Sequence, residues 1–265
     1  AIFYLLVTRT HIKEDLWLNK YRISTFFLSI VALITAWPMA NWLNVFSQLF
    51  AKNETSTVIY TVTEQVPLWL GVLIIGCLPG FVEETLYRGI VFHAFKKRSV
   101  LTGVIISALS FGLMHMNFNQ ILYAIYLGAF FAFMVEATGS LLSTMLLHML
   151  FNAVNTVNMY LLPKLYDWLS AFSSEYKDID LEEVLLQTPD KQQLLTSLGV
   201  LAPLAIGGVV LTVLLLKAIA SINGRSFTWE YIRGNREETS KTKPITVCLV
   251  IGWIFCLLNA VANML

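Results

Sequence analysis

The sequence predicts an all-α protein, a polytopic transmembrane helical bundle that forms a single membrane-embedded domain over residues 1–265. Apolar residues make up 57% of the chain and charged residues only 13%, whereas a soluble domain carries about a quarter charged residues. Several apolar segments are long enough to cross about 30 Å of hydrocarbon. The alternating ten-residue segments typical of a transmembrane β-barrel do not occur. These observations favour helices that cross a lipid bilayer repeatedly.

Seven apolar segments are predicted to span the membrane, with polar stretches between them. An eighth span is expected only if the apolar stub Ala1–Val7 belongs to a further helix. The longest predicted loops are Ala51–Gln65, Pro163–Gln193 and Ser221–Lys243, and the second of these is rich in acidic residues. The predicted spans cover residues 23–43, 66–95, 100–115, 121–136, 140–162, 194–220 and 244–265.

The distribution of lysine and arginine predicts the orientation of the bundle. With a cytoplasmic N-terminus, thirteen basic residues face the cytoplasm and four face the outside, which is a clear positive-inside bias. This orientation places the acidic loop 163–193 outside, and we expect a multi-pass protein of a bacterial plasma membrane. The net charge of +1 gives no basic footprint for nucleic acid.

The predicted span 66–95 contains a cluster of three charges, Glu83, Glu84 and Arg88. An ionisable side chain at bilayer depth costs roughly 2.5–3.5 kcal/mol. Three of them therefore cost about 8–10 kcal/mol before any pairing. A cluster that unfavourable indicates a functional site.

Helical spacing gives the two neighbouring glutamates different roles. Glu84 and Arg88 are four residues apart with the acid first, which is the favourable order for an ion pair on one helix face. Burial makes this pairing close to obligatory, and a purely structural ion pair is the alternative to a catalytic role. Glu83 points about 100° away and has no partner at helical spacing. A carboxylate in a water-poor cavity suits proton transfer, so Glu83 is predicted to be the general base.

Three polar residues on other predicted spans extend the cluster. His115 and His148 lie in or beside apolar segments, and Asn152 follows His148 by one helical turn. A lone histidine near a helix end more often has a structural role, and we assign that role to His93. Neutral imidazoles bind divalent metals or polarise water, so His115 and His148 are candidate ligands of a zinc ion. The Asn152 amide is suited to a developing oxyanion.

These residues form three motifs that resemble the CAAX protease and bacteriocin-processing (CPBP) family, also called Abi proteins. Residues 83–88 match the family's EExxxR motif, residues 111–115 its FxxxH motif and residues 148–152 its HxxxN motif. The motifs follow one another in the family's order within a core of about residues 66–162. The resemblance does not specify the flanking segments 1–65 and 163–265.

The resemblance implies an intramembrane endopeptidase that hydrolyses peptide or protein substrates at the lipid bilayer. Glu83 would activate the attacking water, and His115 and His148 would orient that water or hold a divalent metal. Asn152 would stabilise the oxyanion, while Glu84 and Arg88 would support the geometry. The family includes an enzyme that trims prenylated CAAX tails, so a lipidated or membrane-anchored substrate is one expectation. The resemblance does not indicate an oligomeric state.

Two other functions could use the same residues. A proton- or cation-coupled transporter would use the buried carboxylates as a relay, although the sequence lacks the internal repeats and matched broken helices of many transporters. A catalytically silent immunity or scaffold protein would retain the site without using it.

For catalysis, we expect the side chains of Glu83, His115 and His148 to converge on one polar cavity, helped by a bend near Pro79-Gly80. We predict that His115 and His148 hold a metal, so that a strong chelator abolishes cleavage and Zn²⁺ restores it. Direct activation of water by Glu83 predicts activity that survives chelation.

Overall fold

The computed structural model describes residues 14, 16–172, 189–234 and 246–263. Within these ranges the chain forms nine helices and no strand, which confirms the predicted all-α bundle. The helices are α1 (Ile23–Ser47), α2 (Glu54–Gln65), α3 (Leu68–Lys96), α4 (Val100–Leu113), α5 (Phe118–Thr138), α6 (Leu141–Phe172), α7 (Lys191–Ile222), α8 (Trp229–Arg233) and α9 (Val247–Ala262).

Each of the seven predicted spans contains a helix. Within the described residues, α1, α3, α5, α6 and α7 are long and apolar enough to cross a membrane. The apolar helices α4 and α9 are shorter, with 14 and 16 residues. The N-terminal stub that could have added an eighth span lies outside the described residues.

Three of the predicted loops contain helical residues. Helix α2 occupies most of the predicted loop 51–65, and α8 lies within the predicted loop 221–243. We predicted loops there because neither segment has a long apolar run. A short polar helix does not need one, since capped ends and packing against another helix are enough to stabilise it. The Thr228 side chain, for example, accepts a hydrogen bond from the Tyr231 amide and so caps α8.

The predicted loop 163–193 is also shorter than expected. Helix α6 continues through Pro163 as far as Phe172, and α7 begins at Lys191. We ended the span before Pro163, yet membrane helices tolerate proline because neighbouring groups satisfy the freed carbonyl. Residues 173–188, which include most of the acidic residues of this loop, lie outside the described part of the chain.

Helix α3 departs from regular α-helical geometry in two places. Val72–Cys77 and Thr85–Phe92 are π-helical, and the α-helical stretch Leu78–Glu84 lies between them. Pro79 and Gly80, where we expected a bend, lie in the regular α-helical stretch between the two π segments. Glu83 and Glu84 are the last two residues of the α-helical stretch, and Arg88 lies in the second π segment. Such segments often occur at functional sites.

Small residues bring α3 close to α6. A Cβ atom on Gly80 would lie 2.8 Å from the backbone nitrogen of Met149, and one on Gly76 would lie 3.2 Å from the Ala153 Cα atom. Two glycines one turn apart allow the backbones of membrane helices to approach in this way. This close approach places the charged part of α3 directly beside the histidine of α6.

The apolar core lies on the inner faces of α1, α5, α6 and α7. Its fully buried side chains include Leu33, Phe131, Met134, Leu147 and Ile219. Helix α4 packs against α5 and against the second π segment of α3. The charged part of α3 is therefore enclosed by α4, α5 and α6.

Candidate active site

Glu84 and Arg88 form the predicted ion pair. Arg88 Nη1 donates to Glu84 Oε1 over 2.7 Å, and neither side chain has any exposed surface. Two aromatic rings flank the guanidinium, because its Cζ atom lies 4.3 Å from the ring centroid of Phe111 and 5.3 Å from that of Phe131. Cation–π contacts of this kind stabilise a desolvated arginine. The pair is thus enclosed by protein on all sides.

His148 links this ion pair to the neighbouring acid. Its Nδ1 lies 2.8 Å from Glu84 Oε1, and its Nε2 lies 3.8 Å from Glu83 Oε2. The imidazole stacks on Phe131 with ring centroids 5.1 Å apart and an interplanar angle of 22°. An ion-paired carboxylate only accepts hydrogen bonds, so Nδ1 carries a proton, and in the neutral ring Nε2 is then the free nitrogen.

Glu83 has a different environment from Glu84, as helical spacing predicted. Its side chain is 19% exposed whereas that of Glu84 is fully buried. Its carboxylate lines a cavity of about 330 Å³, and His115, His148 and Asn152 line the same cavity. The structure therefore brings the four predicted reacting and binding groups to one cavity. They come from α3, α6 and the turn that follows α4.

His115 is held by the end of α4. Its Nδ1 lies 2.9 Å from the Phe111 carbonyl oxygen, and the two rings meet edge to face with centroids 5.0 Å apart. Met116, the next residue, has a φ of 48° and so leaves the helical conformation. A carbonyl oxygen can only accept, so the Nδ1 of His115 also carries the proton and its Nε2 is the free nitrogen.

Asn152 lies one turn beyond His148 on α6 and lines the same cavity. Its backbone carbonyl accepts a hydrogen bond from Thr156 Oγ1. Its carboxamide makes no hydrogen bond within the described residues. The amide group is therefore available to a molecule in the cavity.

The described residues do not gather the ligands of a metal site. Among them, no group of three histidine, cysteine, aspartate or glutamate side chains is placed to hold a metal ion. Catalytic zinc sites use three protein ligands. Two imidazoles with one carboxylate at the observed spacing do not fit that pattern, so we derive no catalytic step through a metal.

His93 has the structural environment assigned to it. Its Nδ1 lies 2.6 Å from the Arg88 carbonyl oxygen, and its ring meets Trp17 edge to face at 4.7 Å. It does not line the cavity. His93 thus supports the second π segment of α3.

Two aromatic residues of α5 belong to the site and were not predicted. Phe131 flanks both Arg88 and His148, and Tyr123 lines the cavity. The chain has 17 phenylalanines and 10 tyrosines, and nothing in the local sequence distinguishes these two from core residues. Only their position in the packed bundle identifies them.

A second buried charge cluster, the Glu136 cluster, was also not predicted; its members are Lys96, Glu136, Arg225 and Tyr231. Lys96 Nζ lies 2.9 Å from Glu136 Oε2, Arg225 Nη2 lies 3.1 Å from Oε1, and the Tyr231 hydroxyl lies 2.6 Å from Oε1. Arg225 Nε donates to the Glu136 carbonyl oxygen. None of these residues lines the cavity. The sequence signal was available, because Glu136 is the single charged residue in α5.

Comparison with known proteins supports the resemblance. Residues 65–154 match the family model of the Rce1-like type II CAAX prenyl endopeptidases, and this range contains all three motifs. No curated protein and no solved structure gives a significant match to the chain. Residues 65–154, which carry the EExxxR, FxxxH and HxxxN motifs, thus match a family model that belongs to the CAAX protease and bacteriocin-processing family.

Proposed function

We propose that this protein is an intramembrane endopeptidase in which Glu83 activates the water that attacks a peptide bond. The family match supports a CAAX-type protease in general. The observation that carries the proposed mechanism is the pairing of a partly exposed Glu83 carboxylate with His148 Nε2 at 3.8 Å, on the wall of one cavity. A separation of this size leaves both groups able to contact one water molecule.

In the proposed reaction, the water donates one hydrogen bond to Glu83 and the other to a free histidine Nε2 atom, which the 3.8 Å spacing from Glu83 places at His148. Glu83 accepts a proton as the water oxygen bonds to the carbonyl carbon of the substrate. Asn152 donates to the oxygen that becomes an oxyanion. The intermediate collapses, the carbon–nitrogen bond breaks and Glu83 returns the proton to the leaving amine. One water is consumed, and one carboxyl group and one amino group are formed.

Glu84 and Arg88 are positioning residues in this scheme. The Glu84 carboxylate holds the proton on His148 Nδ1 and so keeps Nε2 free for the cavity. Arg88 neutralises Glu84, which would otherwise be an isolated charge in the bundle. Their contribution is to the orientation and tautomer of His148.

The cavity wall supports a peptide substrate. Besides Asn152, the wall includes Asn41, Asn44 and Asn155. Asn44 Oδ1 accepts hydrogen bonds from Gln48 and Asn119. Asn155 Nδ2 donates to the Phe151 carbonyl oxygen. The Asn44 amide hydrogens and the Asn155 Oδ1 atom are left to meet the donors and acceptors that alternate along an extended peptide backbone. The family name further suggests a substrate that is lipidated or anchored in the membrane.

The same wall gives less support to a transporter. Glu83 is the single acidic residue among the described residues that line the cavity, whereas a proton relay uses a chain of titratable groups. A silent scaffold protein would show the same geometry, so activity must be measured. The positive-inside pattern supports a cytoplasmic N-terminus, and a bacterial plasma membrane remains our proposal for the location.

The proposal is tested with the full chain purified into proteoliposomes. We would incubate it with a mixed-sequence peptide library and with an S-farnesylated CAAX peptide in water enriched in ¹⁸O. Mass spectrometry should show cleavage with one ¹⁸O atom in each new carboxyl terminus. Glu83→Gln protein should give no cleavage above background. An active Glu83→Gln variant, or an inactive wild type under all conditions, would contradict the proposed function.

A further inference from the structure

The groups proposed to hold the attacking water, Glu83, His115 and His148, line one cavity and act as hydrogen-bond acceptors. Glu83 is a carboxylate and accepts. His115 and His148 both carry their proton on Nδ1, because their partners there are a carbonyl oxygen and an ion-paired carboxylate. In the neutral rings their Nε2 atoms are therefore acceptors as well. These acceptors suit an attacking water, which has two protons to donate, whereas the oxyanion that forms on the substrate needs donors.

Asn152 supplies one donor, and the oxyanion of a peptide hydrolysis commonly receives two. Tyr123 of α5 lines the same cavity. Its hydroxyl makes no hydrogen bond within the described residues and is not among the enclosed polar atoms. A half-buried tyrosine normally uses this group in a hydrogen bond, so the Tyr123 hydroxyl is available to a molecule that enters the cavity.

The position of Tyr123 relative to the acid is consistent with this use. Its ring packs beside Phe111 and Ala124, and Tyr123 lines the cavity together with Glu83. Phe111 also contacts His115 and His148. Tyr123 thus faces the space in which Glu83 and the imidazoles would hold the attacking water.

We infer that Tyr123 is a further catalytic residue, whose hydroxyl donates a hydrogen bond to the substrate carbonyl oxygen as that oxygen becomes an oxyanion. The inference rests on the proposed hydrolysis and adds a second donor beside Asn152. Tyr123 keeps its proton throughout. The hydrogen bond strengthens while the water oxygen bonds to the carbonyl carbon, and weakens when the carbon–nitrogen bond breaks.

The first test compares Tyr123→Phe with Tyr126→Phe in the full chain. Tyr126 lies one turn along α5 and does not line the cavity, so it is a matched control. We expect Tyr123→Phe to lower kcat by about 10²–10³-fold, the usual effect of losing one oxyanion donor, with little change in KM. Tyr126→Phe should retain wild-type kinetics. Equal kcat values for all three proteins would overturn the inference while leaving the proposed hydrolysis intact.

A second measurement separates an oxyanion donor from a residue that only holds Glu83. Replacing Tyr123 by 3-fluorotyrosine makes the hydroxyl a stronger donor. An oxyanion donor then raises kcat, and Tyr123→Phe lowers the plateau of the pH profile without moving its acid limb. A residue that hydrogen-bonds Glu83 would give the reverse, a lower kcat with fluorotyrosine and a displaced acid limb with phenylalanine, and would overturn the inference. A wild-type protein that cleaves none of the peptides would overturn the proposed function itself.

Discussion

Glu84 and Glu136 are both acids with no exposed surface, yet their surroundings differ. Glu136 uses both carboxylate oxygens, since Lys96 lies on Oε2 and Arg225 and Tyr231 lie on Oε1. Glu84 receives Arg88 and His148 on the same oxygen, Oε1. The neighbour of Glu84 in sequence, Glu83, faces a cavity. The Glu136 cluster has no comparable group directed into that cavity.

The difference indicates what each cluster does. The Glu136 cluster joins the ends of α3 and α5 to α8 and to the segment between α7 and α8, and both oxygens of its acid are paired within the protein. Around the Glu84–Arg88 ion pair, His148 and Glu83 face the cavity. A buried charge cluster thus becomes a candidate site through the groups that it directs into a cavity. Its burial alone does not distinguish the two cases.

The largest expected effect comes from neutralising one acid in each region. Glu83→Gln removes the proposed base with little change in shape, so kcat should fall by about 10²–10⁴-fold while the unfolding temperature stays close to wild type. Glu136→Gln should lower the unfolding temperature because two cations lose their partner. Cleavage assays and thermal unfolding in detergent measure both effects. If the two variants lose stability equally, the proposed distinction between the clusters is wrong.

Removing the cation from each region should also give unequal effects. Arg88→Ala leaves Glu84 buried without a cation, and we expect a loss of about 3–5 kcal/mol of stability. Arg225→Ala should be milder, because Lys96 and Tyr231 still hold Glu136. The double variant Glu84→Gln with Arg88→Met removes both charges and should recover folding without recovering activity. If the Arg88→Ala protein is as stable as wild type, the claim that Glu84 needs Arg88 to neutralise its buried charge is wrong.

The close approach of α3 to α6 predicts a smaller effect. In Gly80→Ala, the new Cβ atom would lie 2.8 Å from the Met149 backbone nitrogen, so the helices must separate. We expect a loss of about 1–3 kcal/mol and reduced activity, because His148 lies on the displaced helix. Gly207→Ala on α7 is the control, since nothing lies within 4 Å of its Cβ position. Equal stability and activity in both variants would show that this contact does not position the site.

The smallest expected effect is that of a chelator. Because the described residues place no three ligands for a metal, we expect cleavage to survive exhaustive chelation, with no metal found by elemental analysis. Activity that is lost on chelation and restored by Zn²⁺ would instead identify His115 and His148 as ligands. The remaining ligands would then come from the substrate, from water or from residues outside the described ranges.

Local sequence was sufficient for some contacts and insufficient for others. The pair of Glu84 with Arg88 follows from a spacing of four residues on one helix, which fixes their relative position. The contact of Glu84 with His148 joins residues 64 positions apart. The family resemblance placed both residues in one site, but it did not predict which of their atoms are in contact. The contacts of Glu136 with Lys96, Arg225 and Tyr231 could not be predicted, because no periodicity relates residues on four different elements.

The sequence by itself determined the all-α membrane bundle and the different environments of Glu83 and Glu84. Apolar length selects membrane helices, and the helical repeat separates neighbouring side chains by about 100°. Tertiary structure decided which nitrogen of each histidine faces the cavity and that Tyr123 and Phe131 of α5 join the site. It also decided that Gly76 and Gly80 form the contact between α3 and α6. These features depend on how closely particular helices pack, and packing distance is set by side chains that lie far apart in the chain.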